Sequence, residues 1–103
     1  MSSYIDTDHT NLQHGSVELL RLYFGTDVDP SLFLKAEVAF TRGYDTPLPD
    51  EPEWTEVEIA DDHLRVVFGR DVFLERGVWT VYAKVSSDTK APIESIPGYL
   101  RVL

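Results

Sequence analysis

Cysteine is absent from this chain. No disulfide can staple it, and no thiolate can ligate a metal or act as a nucleophile. Basic residues are scarce as well: nine Lys and Arg stand against eighteen Asp and Glu, a formal net charge of −9. Those nine are scattered singly, so no basic patch is formed to hold a phosphate backbone or an anionic lipid surface. Nucleic acid and membrane are therefore not expected partners. No apolar run approaches the ~18 residues that a spanning helix needs. The opening Met-Ser-Ser-Tyr-Ile-Asp has neither a basic nor an apolar region of a secretion signal, and the chain reads as leaderless.

Catalytic signatures are missing too. The three histidines are His9, His14 and His63, the last beside a turn as Asp62-His63. There is no Gly-x-Ser-x-Gly elbow, His-Glu-x-x-His pair or phosphate-cradling glycine loop. Asp6, Asp8 and His9 are a loose set of metal-ligand types. Asp27 and Asp29 resemble part of a calcium loop, but the further oxygen ligands and the bidentate acid are absent. The remaining acids cluster in loops, on a chain too short to build much of a cleft for paired carboxylates. No catalytic residue, metal site or cofactor is assigned, and the chain is not expected to be an enzyme.

What is present is a period-2 pattern. With 103 residues and 43% hydrophobic content, the chain suffices for one domain with a real core. In Gly77 to Val85, residues Trp79, Val81, Ala83 and Val85 share one face, and Val78, Thr80, Tyr82 and Lys84 share the other. Leu32 to Thr41 alternates in the same way, with Leu32, Leu34, Ala36, Val38 and Phe40 on the apolar side. Further strands are expected at Ser16 to Phe24, Trp54 to Ile59, Leu64 to Phe68 and Gly98 to Leu103, separated by turns at Gly25 to Pro30 and Asp61-Asp62. Leu34, Val38, Phe40, Leu64, Val66, Trp79 and Val81 are the expected core. Val72, Phe73 and Leu74 are expected to fill one end of it, in a helical turn or tucked loop.

Two long interruptions remain, Arg42 to Glu53 and Ser86 to Pro97, and the first is long enough to suggest a functional loop. Residues 1–15 are polar, with only Tyr4, Ile5 and Leu12 to bury, and read as a flexible N-terminal arm. Residues 16–103 then form the domain: an all-β, antiparallel sandwich of about seven strands.

The stretch Glu75-Arg-Gly77-Val-Trp79-Thr-Val81 resembles the corner before strand F of immunoglobulin-like domains, with Trp79 at the tyrosine position and Val81 at the cysteine. That resemblance implies an immunoglobulin-like sandwich in which the indole N–H ties the corner to backbone. Leu34 to Phe40 and Gly77 to Val85 are also similar to β-sandwich domains of tailed-phage virions, especially the N-terminal domain of upper baseplate proteins. This second resemblance implies a viral structural protein of a baseplate, tail or capsid surface, located in the virion, with other virion subunits and further copies of itself as partners.

Two functions fit these residues. The first is a non-enzymatic structural or adaptor subunit of a multi-copy assembly. Its contacts would be the arm residues Tyr4, Ile5 and Leu12, with Leu19 and Tyr23 on the second apolar face of the first strand. The second is a carbohydrate-binding module in which Tyr44, Trp54, Tyr82 and Tyr99 stack on the sugars of a host glycan.

Overall fold

A computed structural model describes residues 3–7, 11–24, 29–44, 46–89, 92–96 and 98–103, with backbone alone described over 3–7 and 93–96. Among these residues nine strands run in chain order: β1 Ser3–Thr7, β2 Asn11–Leu12, β3 Glu18–Phe24, β4 Lys35–Arg42, β5 Thr55–Ile59, β6 His63–Phe68, β7 Gly77–Ser86, β8 Ile93–Ile96 and β9 Gly98–Val102. A single 3-10 turn at Pro30–Leu32 is the only helical element among the described residues.

The chain is all-β, as its alternation requires. Its strands form one mixed sheet that curls nearly into a barrel, where the alternation alone predicts two antiparallel sheets. The circuit runs β7-β4-β5-β6-β3-β1-β8 and returns to β7. Two handovers close it. β5 pairs β4 through Thr55 to Val57 and β6 through Glu58 and Ile59, while β8 pairs β7 through Ile93 and Glu94 and β1 through Ser95 and Ile96. Two curved halves, β9-β7-β4 and β6-β3-β1, therefore face each other across one core, with strands switching halves at the corners. Two pairings are parallel, β1 with β8 and β2 with β9.

The core is the inward face of this ring. Leu20 and Leu22 of β3, Ala36 and Val38 of β4, Leu64 and Val66 of β6, and Val81, Ala83 and Val85 of β7 are all buried. Phe40 and Trp79 pack against this cluster only partly buried, short of the full burial the alternation predicts. The Trp79 indole N–H donates to the Glu75 carbonyl at 2.7 Å, the corner tie that the resemblance implied.

Four further expectations are corrected. Leu34 is not in the core but 75% exposed. The 3-10 turn ahead of β4 sets this: Pro30 is buried, the Asp29 side chain accepts from the Ser31 N–H, and Phe33 turns in to plug the mouth. The Ser31 hydroxyl also donates to Asp29, and these two bonds hold its carboxyl below the ordinary value. At the opposite mouth Val72 and Leu74 are buried but Phe73 is 77% exposed, because adjacent residues of an extended segment point opposite ways. Third, Leu12 is not a surface contact: at 1% exposure it belongs to the core. Fourth, residues 3–7 and 11–12 are strands of the sheet, so the backbone of these two stretches is paired within its own chain.

Candidate functional site

The four aromatic residues picked out for stacking meet on one surface, the outer face of the β4-β7-β9 half. Register explains it. Thr41 pairs with Thr80, Ala39 with Tyr82 and Glu37 with Lys84, and Thr80 in turn pairs with Tyr99, so these positions all point away from the core. One step beyond the Val38–Thr55 pair, Trp54 falls beside Ala39, whose small side chain leaves room for larger neighbours.

The 42–54 loop folds back over this face. Thr80, which alternation places toward water, is 0% exposed beneath it. The Thr80 hydroxyl donates to the Gly43 carbonyl at 2.7 Å and accepts from the Thr46 N–H at 3.3 Å. The Thr46 carbonyl accepts from both the Tyr82 hydroxyl at 2.7 Å and the Thr41 hydroxyl at 2.8 Å. Tyr44, carried on the same loop, stacks on Tyr99 with ring centroids 4.4 Å apart and planes inclined by 22°. The Lys84 ammonium stands 4.2 Å from the Trp54 ring centroid and 3.7 Å from a Glu37 carboxylate oxygen.

These aromatics therefore spend much of their binding capacity on one another and on the loop. Tyr44 keeps one open ring face and is 71% exposed, but Tyr99 covers the other. The Tyr82 hydroxyl is committed to backbone, and Lys84 covers Trp54. Thr80→Val tests this pinned arrangement. It strips the Gly43 carbonyl and the Thr46 N–H of their partner under the loop, and should cost about 1–3 kcal/mol, the penalty for unsatisfied buried groups. Denaturant melts read the loss, and limited proteolysis within 44–54 should speed up. Wild-type stability in the valine variant would show that the loop is not held by Thr80.

Residues expected at an interface are placed unevenly. Leu19 and Tyr23 lie half-buried on the outer face of β3, Leu19 opposite Val67 and Tyr23 opposite His63, with the Tyr23 and His63 rings 5.3 Å apart. Tyr4 and Ile5 lie on β1, where backbone pairing sets Tyr4 beside Ile96 and Ile5 beside Phe24. Of the metal-ligand types, Asp8, His9 and Asp27 lie outside the described residues, and Asp29 is engaged by Ser31. Among the described residues no group of three His, Cys, Asp or Glu is placed to hold a metal ion.

Sequence pattern missed the two mouths of the barrel. Five of the six large exposed apolar side chains among the described residues lie there: Val17, Phe73 and Leu103 at one, Leu32 and Leu34 at the other. At the Phe73 mouth a cavity of about 340 Å³ opens between the start of β3 and the turn after β6, lined by His14, Ser16, Phe68, Phe73, Leu74 and Glu75. The signal was present in part. Leu32-Phe33-Leu34 and Val72-Phe73-Leu74 are runs of three apolar residues, of which an extended segment can bury only alternate members.

No protein-family model, curated protein or solved structure matches this chain.

Proposed function

We propose that this chain is a non-enzymatic structural or adaptor subunit of a multi-copy assembly, and that the assembly is a tailed-phage virion. The observation that carries the contact reading is the placement of exposed apolar side chains at both mouths of the barrel. A closed circuit of strands has few free edges with which to recruit a neighbour. Contact then falls to side chains, and apolar groups standing in water at two opposite ends suit a subunit with a neighbour on each side. The virion setting rests on the resemblance of Leu34 to Phe40 and Gly77 to Val85 to baseplate domains. The immunoglobulin-like relationship belongs to the same proposal and is supported by the Trp79 corner.

Co-expression with baseplate, tail and capsid proteins, followed by particle purification and electron microscopy, tests the reading. The chain should co-purify with particles in several copies each. A chain that stays out of every particle would count against it. The carbohydrate module keeps one supporting observation, the open face of Tyr44. It would take over if a glycan array showed saturable binding that Tyr44→Ala or Trp54→Ala removed.

A further inference from the structure

We infer that Tyr44 and Tyr99 are a cross-linking site, at which an oxidant joins the two rings as dityrosine and staples the 42–54 loop to β9. The inference goes beyond the subunit reading and does not rest on it. Fifty-five positions separate the two residues in sequence, yet their rings stack with centroids 4.4 Å apart and planes inclined by 22°. Thr80 sets both. It pairs with Tyr99 across β7 and β9, and its hydroxyl donates to the carbonyl of Gly43, the residue before Tyr44. The fold thus holds the rings together before any reaction, which is the condition for fast coupling within one chain.

Exposure and composition direct oxidation to this pair. Tyr44 is 71% exposed, and it alone is exposed among the tyrosines with described side chains. The chain has no cysteine, and its one methionine is Met1, so the thiol and thioether groups that usually take up oxidant are nearly absent. Tyr82 donates its hydroxyl to the Thr46 carbonyl, and Tyr23 packs on His63 rather than on a second phenol. The step balances with hydrogen peroxide and a haem peroxidase. The peroxidase removes one electron and one proton from each phenol, and the peroxide is reduced to two waters. The two phenoxyl radicals then pair their odd electrons in a carbon–carbon bond between ring positions ortho to oxygen. Each of those carbons releases its hydrogen as a proton to water while the ring oxygen takes one up, so both phenols are restored. The net loss is two hydrogen atoms per chain. A cysteine-free domain thereby gains the covalent tie that a disulfide would otherwise supply.

The test treats the full chain at micromolar concentration with hydrogen peroxide and a haem peroxidase, and in parallel with a ruthenium(III) complex as one-electron oxidant. The small complex reaches rings that a protein oxidant cannot. Coupling within one chain should outrun coupling between chains by at least about a hundredfold. The product should run as one chain of 11.7 kDa, lighter by two hydrogens, with the fluorescence of dityrosine. Trypsin should then release peptides 43–65 and 91–101 joined together, and each of these holds a single tyrosine. Tyr44→Phe and Tyr99→Phe keep a ring for the stack but should each abolish the joined pair. Tyr23→Phe should leave its yield unchanged, and circular dichroism checks that all three variants fold. If a phenylalanine variant does not fold, the joined peptides of the wild type decide alone. The stapled chain should also melt at least about 8 °C higher, as for a cross-link that closes a long loop in a domain of this size.

Dityrosine found only between chains, or joining other tyrosines, overturns the site. So does its absence with both oxidants. A joined product that melts no higher than the untreated chain overturns the staple.

Discussion

Leu12→Ala is expected to destabilise the protein by about 2–5 kcal/mol, the range for truncating a buried leucine. Its side chain is 1% exposed and packs in the central cluster. Its backbone ties the two ends of the sequence together: Leu12 pairs with Val102, its carbonyl accepts from the Leu103 N–H at 2.7 Å, and the His14 N–H donates to the Leu103 carbonyl at 2.9 Å. Truncation would therefore leave a cavity and loosen the parallel β2–β9 pairing together. Urea unfolding with an unchanged slope measures the loss directly. Asn11→Ala, at the exposed neighbouring position, should stay within ~0.5 kcal/mol, the usual span for surface changes. An alanine variant at position 12 as stable as wild type would return residues 11–12 to a dispensable arm.

The same residue shows why the pairing of the N-terminal segment leaves no mark in the local sequence. A strand announces itself in sequence by alternation over several residues, and the Asn11–Leu12 pair is too short to alternate. What fixes it is a partner ninety positions away, Val102, and a parallel pairing of that kind has no turn between its strands to give a local signal. β7 is the opposite case. Val81, Ala83 and Val85 are buried as their spacing requires, since ten residues in one strand supply a full pattern. Leu34 failed for a third reason. Its spacing from Ala36 and Val38 is correct for the inner face, but the strand begins only at Lys35, beyond the point where the facing half still covers it.

Of the aromatic surface, the residues were legible and the arrangement was not. Tyr44, Trp54, Tyr82 and Tyr99 stood out individually, and the register then set three of them on one outer face. The closure of that face depends on Thr46, Thr80 and Gly43, whose bonds span 34 and 37 positions and use side chains that sequence reading assigns to solvent. Polar residues satisfied by backbone under a loop look the same in sequence as polar residues in water. Even so, β7 held a hint. Its outward positions run Val78, Thr80, Tyr82 and Lys84, of which only Lys84 is charged, a weak pattern for a face in full contact with solvent.

Gly69→Ala should be as damaging as the loss of Leu12, about 2–5 kcal/mol. Gly69 follows β6 with φ +87°, the left-handed region that costs an L-residue ~1–2 kcal/mol. A methyl there would also lie 2.4 Å from the Ser16 carbonyl oxygen and 3.3 Å from the Val17 Cα. Both are backbone atoms, which cannot swing aside, and forced overpacking adds ~1–3 kcal/mol. Gly15 separates the two effects. It has the same φ of +87°, but nothing lies within 4 Å of its would-be methyl, so Gly15→Ala should cost only the ~1–2 kcal/mol of strain. The consequences reach the Phe73 mouth as well. The Gly69 N–H donates to the Val72 carbonyl at 2.8 Å, and this turn holds Val72 and Leu74 in and Phe73 out. Pushing Ser16 and Val17 away from the turn should also reshape the hollow between them. Thermal melts of the two alanine variants, run side by side, test the steric effect. Equal melting temperatures would remove the steric argument.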